Sequence, residues 1–124
     1  TLEYETKTVM ISVNAELFSR LLVNLVSNAY RYGRENGHIR VRLWQEDSSL
    51  VLSVADDGIG IARNEQEKIF RRFYQADASR GGEGTGLGLA MVYEIARFYH
   101  GTVTVESVVD QGSTFVVRMP AGQA

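Results

Sequence analysis

Apolar and polar residues alternate over two short stretches near the start of the chain, Leu2 with Tyr4 and then Val9, Ile11 and Val13. A period of two puts alternate side chains on one face, so both stretches predict short strands. The period then lengthens. Leu17, Leu21, Leu22, Leu25 and Val26 recur at helical spacing, behind an Asn14 placed to cap the helix and a Glu16 suited to its first turn. Gly33 falls where such a helix stops. Asn36-Gly37 predicts a turn, after which Ile39, Val41 and Leu43 alternate with Arg40, Arg42 and Trp44 as a strand with one wet face. Asp47, Ser48 and Ser49 turn the chain, and Leu50 to Asp56 returns as the hairpin partner. From Ile61 to Gly84 the pattern is irregular, with one short helical stretch around Lys68 to Tyr74 and a loop over residues 75 to 84. A second helix is predicted from about Gly86 to Tyr99, ended by Gly101. Val103 and Val105 open a strand, Asp110 to Ser113 turns, and Thr114 to Met119 returns. This order predicts an α+β fold with helices against one face of a mostly antiparallel sheet.

Composition narrows the possibilities without naming a function. The 124 residues fit one domain, and 44% hydrophobic with 23% charged residues is ordinary for a globular chain. There is no cysteine, which excludes disulfides and thiolate metal sites. A net charge of −2 gives no footprint for nucleic acid. No apolar run is long enough to cross a bilayer, and no secretory signal opens the chain, although the sequence could be a piece of a longer protein.

Three features carry candidate chemistry. Asparagine is a poor residue for a helix interior, yet Asn24 and Asn28 sit four apart, on one face, with Arg31 continuing the stripe and Tyr32 close to it. An amide oxygen is a hard, neutral ligand for Mg²⁺, and Arg31 could meet a phosphate; two buried amides bonded to backbone would give the same pattern. Along the strand, Leu50, Leu52, Val54 and Asp56 share a face, which sends a carboxylate toward the core. Gly58 and Gly60 follow, leaving room for a flat ligand such as adenine, whose amino group Asp56 could accept; Asp57-Gly58 also fits a plain turn. Gly84-Thr85-Gly86-Leu87-Gly88-Leu89 opens the second helix, where free N–H groups favour phosphate. It is neither a Walker A loop nor a Rossmann turn, and a flexible hinge would look alike.

Order and spacing join these features. Asn24-x-x-x-Asn28-Ala29-x-Arg31-Tyr32, Asp56-Asp57-Gly58-x-Gly60-Ile61, Ile69-Phe70-x-x-Phe73-Tyr74, the glycine run Gly84 to Leu89, and Gly112-Ser113-Thr114-Phe115 resemble the N, G1, F, G2 and G3 boxes of the catalytic ATP-binding domain of sensor histidine kinases. The resemblance covers nearly the whole chain. It implies a two-layer α/β sandwich of mixed sheet with helices on one face, the Bergerat ATP-binding fold, over residues 1–124. It implies that Asn28 ligates Mg²⁺ and that Asn24 and Arg31 act catalytically near the phosphates of ATP, with Tyr32 lining the pocket. Asp56 would take the adenine amino group beside Gly58, Gly60 and Ile61. Gly84, Thr85, Gly86, Leu87, Gly88 and Leu89 would hold phosphates. Residues 62–85 would form an ATP lid anchored by Phe70 and Phe73 with Tyr74, and Thr114 would sit near the adenine end. Many members carry a basic residue after the Phe-Tyr pair; here it is Gln75, and Arg71, Arg72 or Arg80 could substitute.

The resemblance extends to chaperones, topoisomerases and mismatch-repair ATPases of the same fold, in which a glutamate precedes the Mg²⁺ asparagine by one turn and activates water. Asn24 stands there and cannot take a proton usefully. The expected reaction is therefore transfer of the γ-phosphoryl group to a histidine on a separate helical dimerisation domain, with a response regulator downstream. The alternatives are an ATP-hydrolysing or purely nucleotide-binding module. His38 and His100 are expected to be structural or solvated, since neither lies in a phosphoacceptor context. Arg40 and Arg42 are expected on a solvated edge of the sheet, and the aromatic residues Phe98, Tyr99, Phe73 and Tyr74 in the core. The chain alone is expected to be monomeric and cytoplasmic, as part of a membrane-bound sensor.

Overall fold

A computed structural model of the chain describes residues 2–6, 15–33, 36–47, 49–66, 68–70 and 88–120. In chain order these form β1 (Leu2–Thr6), α1 (Ala15–Tyr32), β2 (Ile39–Glu46), β3 (Ser49–Asp56), a short 3-10 turn at Arg63–Glu65, α2 (Gly88–Phe98), β4 (Thr102–Val108) and β5 (Gly112–Pro120). The expected Val9–Val13 strand, the Asn14 cap and the segment from residue 71 to 87 lie outside the described residues.

The strands form one mixed sheet in the order β1-β2-β3-β5-β4, with β1 parallel to β2 and the other pairs antiparallel. Both helices pack on one face. Leu21, Leu25 and Ala29 of α1 and Val92, Ile95 and Ala96 of α2 meet Leu50, Leu52 and Val54 of β3 and Phe115, Val117 and Met119 of β5. The spacing of three and four along the helices and of two along the strands is what lets these sets face each other. The result is the expected α+β sandwich.

Four expectations change. The Arg40 and Arg42 face is wet, but β2 is not an edge, because β1 pairs beyond it. There the Arg42 guanidinium lies 5.0 Å from the Trp44 ring centroid. The residue that ends α2 in the left-handed conformation is His100 (φ 62°), not Gly101. The Gly101 N–H donates to the Ala96 carbonyl at 2.8 Å, closing a Schellman-type cap. Gly101 is required for a different reason: a Cβ would collide with the Arg118 carbonyl on β5. Phe98, grouped by sequence with the core aromatics, is 68% exposed and only touches Tyr99 edge-on at 5.1 Å. Lastly, of the helical stretch expected from Lys68 to Tyr74, Lys68 to Phe70 form a turn and the rest lies outside the described residues.

Leu25 is wholly buried where α1 crosses the sheet. Leu25→Ala should cost about 2–5 kcal/mol, read as a lower urea midpoint with an unchanged slope.

Candidate functional site

The segment leaving β3, from Asp56 to Ile61, runs between two walls. On one side is the end of α1. The Ile59 N–H donates to the Tyr32 carbonyl at 3.0 Å, and a Cβ on Gly58 would overlap that same carbonyl. On the other side is the tip of the β4–β5 hairpin. The Asp110 N–H donates to the Ile59 carbonyl at 2.8 Å, and Gly60 (φ 73°) lies against the Val108 carbonyl. Gly112 (φ 121°) closes in on the Asp56 carbonyl. Glycine is needed at 58 for space, and at 60 and 112 for both space and backbone angle.

Asp56 sits at the end of β3, half-buried, with Oδ1 accepting the Gly58 N–H at 2.9 Å. Burial pushes its carboxyl above the usual aspartate value, and N–H donors from Gly58 and Ser113 oppose that shift. Its neighbour behaves oppositely. Asp57 takes the His38 backbone N–H on Oδ1 at 2.8 Å, and its Oδ2 lies 3.2 Å from the His38 ring Nδ1. These bonds, the backbone one foremost, hold Asp57 below its ordinary value. His38 is thus a surface tie between the start of β2 and this loop.

The loop is also tied from below. Directly opposed residues of an antiparallel pair point to one side, so Asp56, Ser113 and Ser107 form a row across β3, β5 and β4 on the helix-covered face. The Ser107 hydroxyl accepts the Ile61 N–H at 2.6 Å, donates to the Gly112 carbonyl at 2.9 Å and lies 2.8 Å from the Ser113 hydroxyl. Gln66 secures the other side of Ile61: its Nε2 donates to the Ile61 carbonyl at 2.9 Å and to the Ser107 carbonyl at 3.1 Å.

The asparagine stripe faces the start of α2. Asn24 Nδ2 donates to the Arg20 carbonyl at 2.8 Å and lies 3.4 Å from the Met91 sulfur. Its Oδ1 is left pointing at Gly88, where a Cβ would approach to 3.2 Å. Asn28 follows one turn later, half-buried, with Arg31 in the last turn. Phe70 packs edge-on against Phe115 and tilted against Tyr93 of α2, each at 6.1 Å between centroids.

Of the residues expected at the site, Asn24, Asn28, Arg31 and Tyr32 therefore lie on the last turns of α1, Asp56 to Ile61 beside their end, and Gly88 and Leu89 at the start of α2. Phe73, Tyr74, Gly84, Thr85, Gly86 and Leu87 lie outside the described residues, as do Gln75, Arg71, Arg72 and Arg80. Thr114 is opposite Ala55, on the face away from the helices, and the residue sharing the face of Asp56 is Ser113, which is 5% exposed. Sequence reasoning missed Ser113, Ser107, Gln66 and the His38–Asp57 tie. The period of two through Phe115 would have found Ser113; the other three depend on register between distant segments. Among the described residues no group of three or more acidic or histidine side chains could hold a metal by itself.

Comparison with known proteins agrees with this geometry. Residues 13–123 match the family described as "Histidine kinase-, DNA gyrase B-, and HSP90-like ATPase". The circadian input-output histidine kinase CikA of Synechococcus elongatus is 41% identical over 103 residues, which are 82% of this chain and 14% of that protein. The chain thus spans a small part of such relatives. Among solved structures, the mycobacterial sensor histidine kinase MprB aligns with a TM-score of 0.84 at 27% identity, over 99% of this chain and 86% of that one. Full-length ShkA in complex with AMPPNP aligns at 0.82 and 27% identity, over 99% of this chain and 26% of that one.

The opposite shifts of the two aspartates set opposite pH dependences. Asp57 is depressed in the folded state, so its stabilisation is present above the unfolded value near 3.8 and is lost as the pH falls through the folded value. Asp57→Asn should lower stability at neutral pH and flatten the loss seen on acidification below 3.8, followed by urea melts across that range. Asp56, raised from 3.8, works in the other sense: its contribution is complete below 3.8 and is lost as the pH rises through the raised value.

Proposed function

The chain belongs to the histidine kinase-, DNA gyrase B- and HSP90-like ATPase family, as a catalytic domain of the sensor histidine kinase kind, and from that premise we propose that it binds Mg-ATP between α1 and α2 and donates the γ-phosphoryl group to a histidine on a separate helical domain. The observation that carries this reading is Asn24. It occupies the helix face where a water-activating carboxylate would have to stand, it is neutral, and its amide is already oriented by the Arg20 carbonyl. No proton acceptor stands at that position to activate water, which favours transfer to a partner's imidazole over hydrolysis. His38 is engaged with Asp57 and His100 caps α2, which fits neither for the acceptor role.

The donor set suits Mg²⁺ brought in on a polyphosphate. One neutral amide oxygen, Asn28, with no acidic cluster among the described residues, is the ligand complement of a cation whose other positions are filled by phosphate and water. The ion would neutralise charge on the phosphates. The start of α2 at Gly88 would meet the phosphates, with helical N–H groups as donors, and Asn24 Oδ1 beside it, an acceptor, would face the cation or a water. Arg31 would add a charged donor at the far end of α1. Asp56 would accept the amino group of the adenine, and Gly58 and Gly60 would let the ring approach the backbone. Thr114 lies on the other face, so Ser113 takes over its assignment at the adenine end. Residues 62–85 would cover the nucleotide, with Phe70 as the inner anchor. ShkA, similar in fold over 26% of its length, was solved with AMPPNP, which supports nucleotide binding as the reading.

Positioning and electrostatics are most of what phosphoryl transfer demands of a protein. In the reaction the bond from the γ-phosphorus to its bridging oxygen breaks, ADP leaves, and an imidazole nitrogen takes the phosphoryl group. The acceptor histidine would stand on a dimerisation domain of the same, longer, cytoplasmic-facing sensor, with a response regulator as the next acceptor. No described helix is long and apolar enough to cross a membrane.

Mixing the chain with its cognate helical domain and γ-labelled ATP should give acid-labile phosphohistidine, with very slow hydrolysis by the chain alone. Brisk Mg²⁺-dependent hydrolysis without the helical domain would instead mark an ATPase, and binding without transfer a regulatory module. In calorimetry, Asp56→Asn should weaken ATP at least about tenfold, the scale of one charged hydrogen bond; unchanged affinity would sink the adenine assignment.

A further inference from the structure

We infer that Ser107, which makes no contact with the proposed nucleotide, is the positioning residue that aims Asp56 at the base. The inference rests on the reading of Asp56 as the acceptor for the adenine amino group. It begins with a count of hydrogen bonds. A serine hydroxyl has one proton to donate and two lone pairs to accept with. At Ser107 all three are used. The Ile61 N–H must donate to it, because an amide has no other role, and the Gly112 carbonyl must accept from it. That spends the Ser107 proton, so the Ser113 hydroxyl, 2.8 Å away, is the donor in the remaining contact. The direction of every bond is thereby fixed, and no rotation of the hydroxyl satisfies all three partners in another way.

The three partners are the parts that define Asp56. Gly112 presses on the Asp56 carbonyl and leaves no space for it to move toward β5. Ser113 is the residue directly opposite Asp56 on β5, on the same face of the sheet. Ile61 ends the loop in which the Gly58 N–H binds the Asp56 carboxylate. Ser107 thus holds the strand paired with Asp56 on one side and the end of the loop that donates to it on the other. Gln66 reinforces this by bridging the Ile61 and Ser107 carbonyls. Without the Ser107 hydroxyl, three polar groups in a partly buried site lose their partner at once, and the strand and loop that orient the carboxylate lose their common anchor.

A role through Asp56 differs from a general structural role in what it does to base selectivity. Inosine triphosphate has the phosphates and ring of ATP but a carbonyl in place of the amino group, so it presents an acceptor where Asp56 expects a donor. Calorimetric affinities for ATP and inosine triphosphate are compared in the wild-type chain, Ser107→Ala, Ser107→Thr and Asp56→Asn, each shown folded by circular dichroism. Ser107→Ala should weaken ATP about tenfold and inosine triphosphate less than about threefold, narrowing the preference for ATP. Ser107→Thr, which keeps the hydroxyl on a strand that favours Thr, should restore most of the preference. Asp56→Asn should abolish or reverse it. If Asp56→Asn narrows the preference while Ser107→Ala weakens both nucleotides alike, the positioning role is wrong and the base reading stands. If Asp56→Asn leaves the preference intact, the base reading itself fails and takes the inference with it. Should Ser107→Ala not fold, Gln66→Ala removes the bridge between the Ile61 and Ser107 carbonyls and is subject to the same comparison, with a smaller narrowing expected and an equal loss for both nucleotides overturning the inference.

Discussion

The site depends on one constraint: the five residues after β3, Asp57 to Ile61, must pass between the end of α1 and the tip of the β4–β5 hairpin with their backbone close to both. Gly58 under the Tyr32 carbonyl, Gly60 against Val108 and Gly112 against Asp56 each stand where a methyl group has no room. The backbone groups thus exposed do not go unpaired. Ile59 gives its N–H to α1 and takes one from the hairpin at Asp110. A loop bonded at both walls is a rigid part of the fold, and that rigidity turns a carboxylate at a strand end into a candidate recognition group. Packing from the sheet and helices fixes the walls; the glycines let the loop fill the gap.

Polar groups inside this gap follow the same economy. Burial works against the charge of Asp56, and the opposing N–H donors from Gly58 and Ser113 keep a charged acceptor usable there. Asp57, one residue on and at the surface, faces the other way and is spent on His38. Two adjacent carboxylates are thus given different tasks by strand alternation alone. One points into the layer between sheet and helices, the other braces the loop from outside. The Asp56–Ser113–Ser107 row continues the first task across three strands, where apolar residues would otherwise continue the core.

Much of this was legible in the sequence, for physical reasons that differ by element. The Leu21–Leu25–Ala29 face of α1 and the alternation of β2 and β3 follow from burial, which acts on every turn and so leaves a repeating trace. Asp56 stood out because it broke an apolar alternation, and Asn24 and Asn28 because they are costly inside a helix. Single-residue geometry was harder to see. His100, rather than the adjacent Gly101, takes the left-handed position because glycine is needed one residue later against Arg118. Phe98 was grouped with core aromatics by type, yet its turn of α2 faces out. Thr114 was assigned to the adenine end from its motif, and counting in twos from Phe115, which is buried beside β3, hands the position to Ser113. Ser107 and Gln66 left no trace, because the bonds that join the loop to β4, Ile61 to Ser107 and Gln66 to Ser107, span 46 and 41 residues of chain.

The same logic explains why an asparagine can decide a reaction. A carboxylate on the Asn24 face would bring a full negative charge toward the phosphates of a bound nucleotide and a base toward any water there. The first effect raises the cost of binding and the second diverts the phosphoryl group. A neutral amide does neither. With its N–H₂ anchored on the Arg20 carbonyl, its oxygen is aimed at the start of α2 and cannot swing round without breaking that bond. The site therefore has strong reasons to hold a nucleotide still and no group of its own, among the described residues of this helix face, with which to activate water. In the proposed transfer, the group that completes the chemistry comes from outside this helix face.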